Sequence, residues 1–230
     1  QHSLMVANLA EEAIYRIGGN PLLTRTGALY HDIGKSYDPV FFIENQSGGI
    51  NPHDQCDFDE SARRIINHVT QGVELAKKYN LPEAIINFIR THHGKSKVKY
   101  FYNSFRNKYP DRPVDEAAFT YSGPDPISKE CAVVMMADAV EAASRTLQDK
   151  TEENITALVN NIIDGQLQDG RFMNAEITFK DIDGVKRVFI EMLTNIYHSR
   201  ISYPKLKQTE QPDASDNASP EGNHPESPKA

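Results

Sequence analysis

A chain of 230 residues with 39% hydrophobic and 25% charged residues has the make-up of a globular protein, able to bury roughly 70–75% of its unfolded surface without disulfide staples. Its formal net charge of −7 argues against a broad nucleic-acid footprint (no DNA or RNA partner is expected), yet leaves room for a small anion approached through metal ions. No apolar run approaches the ~18 residues of a membrane helix, no signal peptide is visible, and the two cysteines, Cys56 and Cys131, form no CxxC pair, as in a reducing compartment.

Leu4, Val6, Leu9, Ala13 and Ile17 recur near the helical period, which predicts a first helix with His2 on its apolar face. Asn20-Pro21 reads as an N-cap with proline at the first helical position of a second helix, which runs toward His31 and Asp32. Residues 37–56, rich in Gly, Asn and Pro, read as a long loop, a kind of segment that usually serves function. Asp57 with Glu60 resembles a capping box ahead of a stripe formed by Ala62, Ile65, Ile66, Val69, Val73 and Ala76, and His68 falls within that helix. Pro82 starts another helix that Gly94 is expected to end, with His92 and His93 at its close. Asp138 is the single polar side chain between Cys131 and Val140 in an apolar helix. Thr151 and Thr178 are further N-cap candidates, the latter with Asp181 three residues on. Strict alternation of apolar and polar residues is hardly seen, so the class expected is all-α, a helical bundle over residues 1–207. Residues 208–230 hold Pro212, Pro220, Pro225 and Pro228 and no large apolar side chain, and read as a disordered tail in which His224 is idle.

Each chemistry-bearing residue has an ordinary reading when taken singly. His68 reads as a hydrogen-bonded core histidine, His92 and His93 as a polar helix end, and Asp138 as half of a buried ion pair. Lys35 reads as a solvated residue past a helix end. Arg145 stands two turns after Asp138, either reaching for a phosphate or pairing with Glu141 four residues before it. Taken jointly, the order His, His-Asp, His, His-His, Asp is a set of nitrogen and oxygen donors suited to Mn, Fe or Zn, and the lack of sulfur donors argues against a structural zinc finger.

The pair His31-Asp32 followed by Gly34 and Lys35, together with the ordered residues around it, resembles the HD superfamily of metal-dependent phosphohydrolases. The stretches HSLMVANLAEEA, NPLLTRTGALYHDIGK, FFIENQ, NPHD, GVELAKKY, THHG and ADAVEAASR are similar to the bacterial seven-transmembrane-receptor HD family of cyclic di-AMP phosphodiesterases, over roughly residues 2 to 204. The GYP motif of the cyclic di-GMP enzymes is missing, since Lys95, Ser96 and Lys97 follow HHG. The resemblance implies two divalent transition-metal ions, Mn or Fe, that share Asp32. His2, His31 and Asp138 would complete one site, and His68, His92 and His93 the other. It also implies catalytic and phosphate contacts from Lys35, a substrate contact from Arg145, and base pockets lined by residues 37–56. The activity implied is hydrolysis of cyclic di-AMP to linear pApA in second-messenger signalling. The alternatives are an HD phosphohydrolase for another nucleotide and a non-catalytic nucleotide-binding HD module. A metal ligand as near the first residue as His2 would fray alone, and family members carry membrane segments before this domain. The chain is therefore expected to be a cytoplasmic part of a membrane-anchored protein.

Overall fold

The computed structural model describes residues 1–46 and 51–198, which belong to one compact unit. Residues 47–50 and 199–230 lie outside the described residues, and with them the expected tail and His224. In chain order the helices are α1 (His2–Ile17), α2 (Pro21–Tyr30), α3 (Phe58–Lys78), α4 (Glu83–Thr91), α5 (Lys99–Lys108), α6 (Lys129–Ser144), α7 (Glu152–Gln168) and α8 (Phe179–His198). No strand occurs among the described residues; the one extended contact is an isolated bridge between Lys97 and Thr120. The architecture is therefore the all-α one expected.

The caps show why several helices begin where they do. Asn20 accepts from Leu23 N–H, Ser128 from Cys131 N–H and Thr151 from Asn154 N–H. At Thr178 the full reciprocal box forms: Thr178 N–H donates to Asp181 at 3.0 Å, and Asp181 N–H donates to the Thr178 hydroxyl at 3.1 Å. The box expected at Asp57 does not form. Asp57 occupies the N-cap position without a side-chain bond, and Glu60 turns outward to accept from Arg64 at 2.9 Å. That outward pairing one turn on removes the second half of the box. The fourth helix ends at Thr91, earlier than expected, and Gly94 lies beyond it at φ 50° in the turn that follows.

The core lies where α1, α6, α7 and α8 meet. Val6, Leu9, Ala10 and Ile14 from α1 pack with Val133, Val134, Met136 and Val140 from α6, Ile155, Val159 and Ile163 from α7, and Val185, Phe189 and Leu193 from α8. Each fully buried aliphatic or aromatic side chain here contributes about 1.5–3 kcal/mol relative to exposure. Leu4, counted in the apolar stripe from its spacing, is 53% exposed. It lies on the opposite flank of the helix from Val6 and Leu9, because a spacing of two residues turns about 200°.

The described part of residues 37–56 is less irregular than expected. The chain from Ile33 onward is folded into short 3-10 turns at Ile33–Ser36, Pro39–Phe41, Ile43–Asn45 and Pro52–Gln55. Gln46 Nε2 donates to the Val40 carbonyl at 2.9 Å, His53 Nε2 bonds the Phe41 carbonyl at 2.9 Å, and Arg64 lies over the Phe41 ring at 4.5 Å. Turns this short, two of the four started by proline, leave no hydrophobic periodicity for a sequence pattern to catch.

Candidate metal centre

Five separate segments deliver the chemistry-bearing residues to one place. His2 opens α1; His31 closes α2 as its C-cap, with Asp32 beside it; His68 sits within α3; His92 caps α4, with His93 next; Asp138 faces inward from α6. His31, His68 and His92 are at most 1% exposed, and Asp138 is 7% exposed. The turn after His93 is pinned: Asp125 accepts from Lys95 N–H at 3.2 Å and from Arg171 at 2.8 Å.

Three of these histidines have their tautomer fixed by their own backbone. The Nδ1 of His31 lies 2.6 Å from the Ala28 carbonyl, that of His68 2.5 Å from the Ile65 carbonyl, and that of His92 2.8 Å from the Ile89 carbonyl. A carbonyl oxygen only accepts, so each Nδ1 carries a proton and each Nε2 is the atom left to face the centre, free to offer a lone pair when the ring is neutral. Those Nε2 atoms converge. His68 Nε2 and His92 Nε2 are 3.1 Å apart.

Asp32 stands between two groups and gives one oxygen to each. Its Oδ2 is 3.4 Å from His2 Nε2 and 3.2 Å from His31 Nε2; its Oδ1 is 3.4 Å from His68 Nε2 and 3.6 Å from His92 Nε2. Asp138 divides likewise, with Oδ1 3.1 Å from His2 Nε2 and 3.7 Å from His31 Nε2, and Oδ2 3.6 Å from His93 Nδ1. Donor atoms of His2, His31 and Asp138 lie within 4.8 Å of one another, as do those of His68, His92 and His93. His2 Nε2, His31 Nε2 and Asp32 Oδ1 are buried yet make no hydrogen bond. Buried polar atoms left unpaired cost free energy. Here they point at a shared centre instead of at each other, the arrangement a cation fits.

The electrostatics agree. Burial would lower the affinity of His2 for a proton, but the carboxylates of Asp138, Asp32 and Glu141 override it and push the pKa up to about 11. Burial acts the same way on His31, and Asp32 and Asp138 push it up to about 10. Burial would raise Asp32, but positive charge at His31 and Lys35 holds it well below the usual carboxylate range; His2 and His31 do the same for Asp138. His92 is lowered mainly by burial, and His93 is held well below its ordinary value by burial and then by His92. One half of the centre thus draws positive charge strongly, while His92 and His93 are kept neutral, the form that binds metal.

A cleft of about 630 Å³ opens onto the centre, walled by Lys35, Phe42, Ile43, Tyr121, Arg145 and Gln166 among others. A second hollow of about 590 Å³ adjoins it across Lys35, Glu44 and Arg145. Lys35 Nζ is 2.7 Å from Asp32 and 2.6 Å from Glu44, so the lysine is tied into the centre instead of being solvated. Arg145 makes the pair with Glu141, its Nε 2.7 Å and its Nη2 2.6 Å from Oε1, while still lining both hollows. Of residues 37–56, Phe42, Ile43 and Glu44 reach the cleft, whereas His53 serves the turn that carries Phe41.

Three site residues escaped the sequence reading. Glu141 lies 2.5 Å from His2 Nδ1, but in sequence it reads only as a partner for Arg145. Tyr121 stacks on His93, ring centroids 4.3 Å apart at 27°. The bonds that bring it there, Tyr121 N–H to Ser96 and Val98 N–H to Phe119, join segments more than 20 residues apart and leave no local mark. Glu44 was foreseen only as one polar residue of a long loop.

Comparison with known proteins follows this geometry. The HD domain family profile matches residues 1–143. The cyclic-di-AMP phosphodiesterase PgpH of Bacillus subtilis (strain 168) is 43% identical over 204 residues, 89% of this chain and 28% of that protein. PgpH of Listeria monocytogenes serotype 1/2a (strain 10403S) is 43% identical over 206 residues, 90% of this chain and 28% of that protein. The chain therefore spans little more than a quarter of these curated relatives. The crystal structure of the L. monocytogenes PgpH HD domain in complex with cyclic-di-AMP superposes with a TM-score of 0.82 at 42% identity, covering 85% of this chain and 91% of that one.

Proposed function

The chain belongs to the HD-domain family, and from that premise we propose that it is a metal-dependent phosphodiesterase that hydrolyses cyclic di-AMP to linear pApA. The observation that carries the reading is Asp32, whose two oxygens face two separate groups of histidines, 3.2–3.4 Å on one side and 3.4–3.6 Å on the other. Two ions would be held there, with His2, His31 and Asp138 completing one site and His68, His92 and His93 the other. Mn or Fe suits such nitrogen and carboxylate donors. When bound, the ions supply Lewis-acid charge at the phosphate and a water acidified to near neutral pH.

The chain's own residues do the remainder. Asp32 and Asp138 offset the positive charge of the centre and set the spacing of its two halves. Lys35, half-buried at the cleft, places a cation where negative charge builds on the phosphoryl oxygens, and Glu44 and Asp32 fix its position. Arg145 adds positive charge at the mouth of both hollows. Phe42, Ile43 and Tyr121 give apolar walls against which bases pack. Across the reaction an oxygen of water joins phosphorus, the bond from phosphorus to one 3′ oxygen breaks, and that oxygen takes up the proton.

The same reading includes the cellular setting: a cytoplasmic domain tethered to a membrane through segments outside this chain. Its support is the resemblance to a family whose members carry membrane segments before this domain; the chain spans 28% of each of the two curated relatives. No helix of the described residues is long and apolar enough to cross a membrane.

Comparison of kcat/KM for cyclic di-AMP and cyclic di-GMP tests the base preference. Adenine offers a donor where guanine has an acceptor, and each unsatisfied buried group costs about 1–3 kcal/mol, so tenfold or more in favour of cyclic di-AMP is expected. Lys35→Ala is expected to slow both substrates alike, because it meets phosphate and not base. Equal kcat/KM values, or a preference for cyclic di-GMP, would overturn the substrate assignment.

A further inference from the structure

His31, His68 and His92 take their orientation from a backbone carbonyl three residues earlier, and His2 does not. Its Nδ1 lies 2.5 Å from Glu141 Oε2, across 139 residues of sequence. Glu141 is 4% exposed on α6, one turn beyond Asp138 and so on the same face. Its second oxygen is taken separately, by Arg145 Nε at 2.7 Å and Nη2 at 2.6 Å. A carboxylate buried beside an apolar core persists only when its oxygens are satisfied. Here one oxygen meets a guanidinium fork and the other an imidazole N–H.

The consequence falls on the opposite ring nitrogen. With Nδ1 engaged by Glu141, His2 Nε2 is buried without a hydrogen bond and faces the centre, 3.1 Å from Asp138 Oδ1 and 3.4 Å from Asp32 Oδ2. A charged acceptor behind an imidazole also makes it a stronger donor than a neutral carbonyl does. We propose that Glu141 is the positioning residue for His2 and that Arg145 holds Glu141 in the rotamer that performs this. The assignment rests on the two-ion reading above, and it gives Arg145 a structural duty beside any contact with phosphate. Were Glu141 only the surface arginine's partner, its loss would lower stability without singling out one ion.

Calorimetric titration of the metal-stripped full chain with Mn²⁺, repeated with Co²⁺ and its visible absorption, separates these cases. The wild type is expected to take up two ions. Glu141→Gln keeps the size and an oxygen for His2 but removes the charge. It is expected to weaken one ion about 10–100-fold while the other binds as in the wild type, with the Co²⁺ spectrum altered at that ion alone. Glu141→Ala is expected to lose that ion altogether, and Arg145→Ala to weaken the same ion less. Wild-type affinities in Glu141→Gln, or an equal loss at both ions, would overturn the assignment of Glu141; the Gln variant decides this even if the Ala variant does not fold. A wild type that takes up fewer than two ions would instead overturn the reading of the centre itself, and this inference with it.

Discussion

Asp32 gives one oxygen to each half of the centre, so removing it takes an anionic donor from both at once. Asp32→Ala is expected to abolish hydrolysis of cyclic di-AMP while circular dichroism still reports a helical protein. Activity within tenfold of wild type, a barrier change of only about 1.4 kcal/mol, would show that nothing bridges there. Protonation gives a second test at this scale. In the metal-free chain His2 is raised to about 11 and His31 to about 10, both from 6.5, by carboxylates that outweigh burial. Because both folded values are raised, this attraction stabilises the metal-free fold fully below about pH 6.5 and is lost as pH climbs through about 10 to 11. A metal ion must expel those protons. Mn²⁺ uptake near neutral pH is therefore expected to release protons, and affinity to rise with pH across that window. Titration in buffers of differing ionisation enthalpy measures the release, and none at pH 7 would contradict the protonated centre. At this scale the residues that the structure brings together were legible, because His and Asp in an apolar setting demand partners. Glu141 was hidden by a plainer pairing with Arg145, the two standing one helical turn apart.

Gly34 shows how one element seats another. A Cβ there would lie 1.8 Å from the His68 carbonyl oxygen and 2.6 Å from Gly72 N, so the turn after Asp32 rests directly on the backbone of α3. Its φ is not in the left-handed region; the need is for close approach. Gly34→Ala must push the turn away from α3, and with it Asp32 from His68. A loss of about 1–3 kcal/mol or more is expected, read as a lower Tm, together with weaker metal uptake. A variant with wild-type Tm and ion content would mean that the close contact is not what seats Asp32. The motif's glycine was visible in the sequence, but the backbone it touches was not, since packing between segments carries no local signature. Helix starts were legible at Asn20, Thr151 and Thr178, where the cap is a side chain's own chemistry, but not at Ser128, which caps α6 in the same way. At Asp57 the start holds too, with Asp57 at the N-cap position, and only the box is missing, because Glu60 pairs with Arg64 on the outer face. The 3-10 turns within residues 37–56 read as loop in the sequence because turns of three or four residues are too short to build an apolar stripe.

Across the whole molecule, α6 passes through the core and carries Asp138 and Glu141 on the face turned to the centre, while α1 brings His2 onto it. The helical class was legible because the apolar residues repeat at the helical period and hardly ever alternate. The cleft was not, since its walls come from the turn at Phe42, the bridge that carries Tyr121, and α7 at Gln166, three places far apart in sequence. Donor side chains converge here from five segments, and three of their buried atoms, His2 Nε2, His31 Nε2 and Asp32 Oδ1, make no hydrogen bond; on this the proposed two-ion phosphodiesterase centre rests. The most direct test incubates cyclic di-AMP with the protein stripped by chelator and with the same protein resupplied with Mn²⁺, and resolves the products by chromatography. Linear pApA is expected only in the resupplied sample. Intact cyclic di-AMP in both samples, or equal hydrolysis in both, would contradict the assignment.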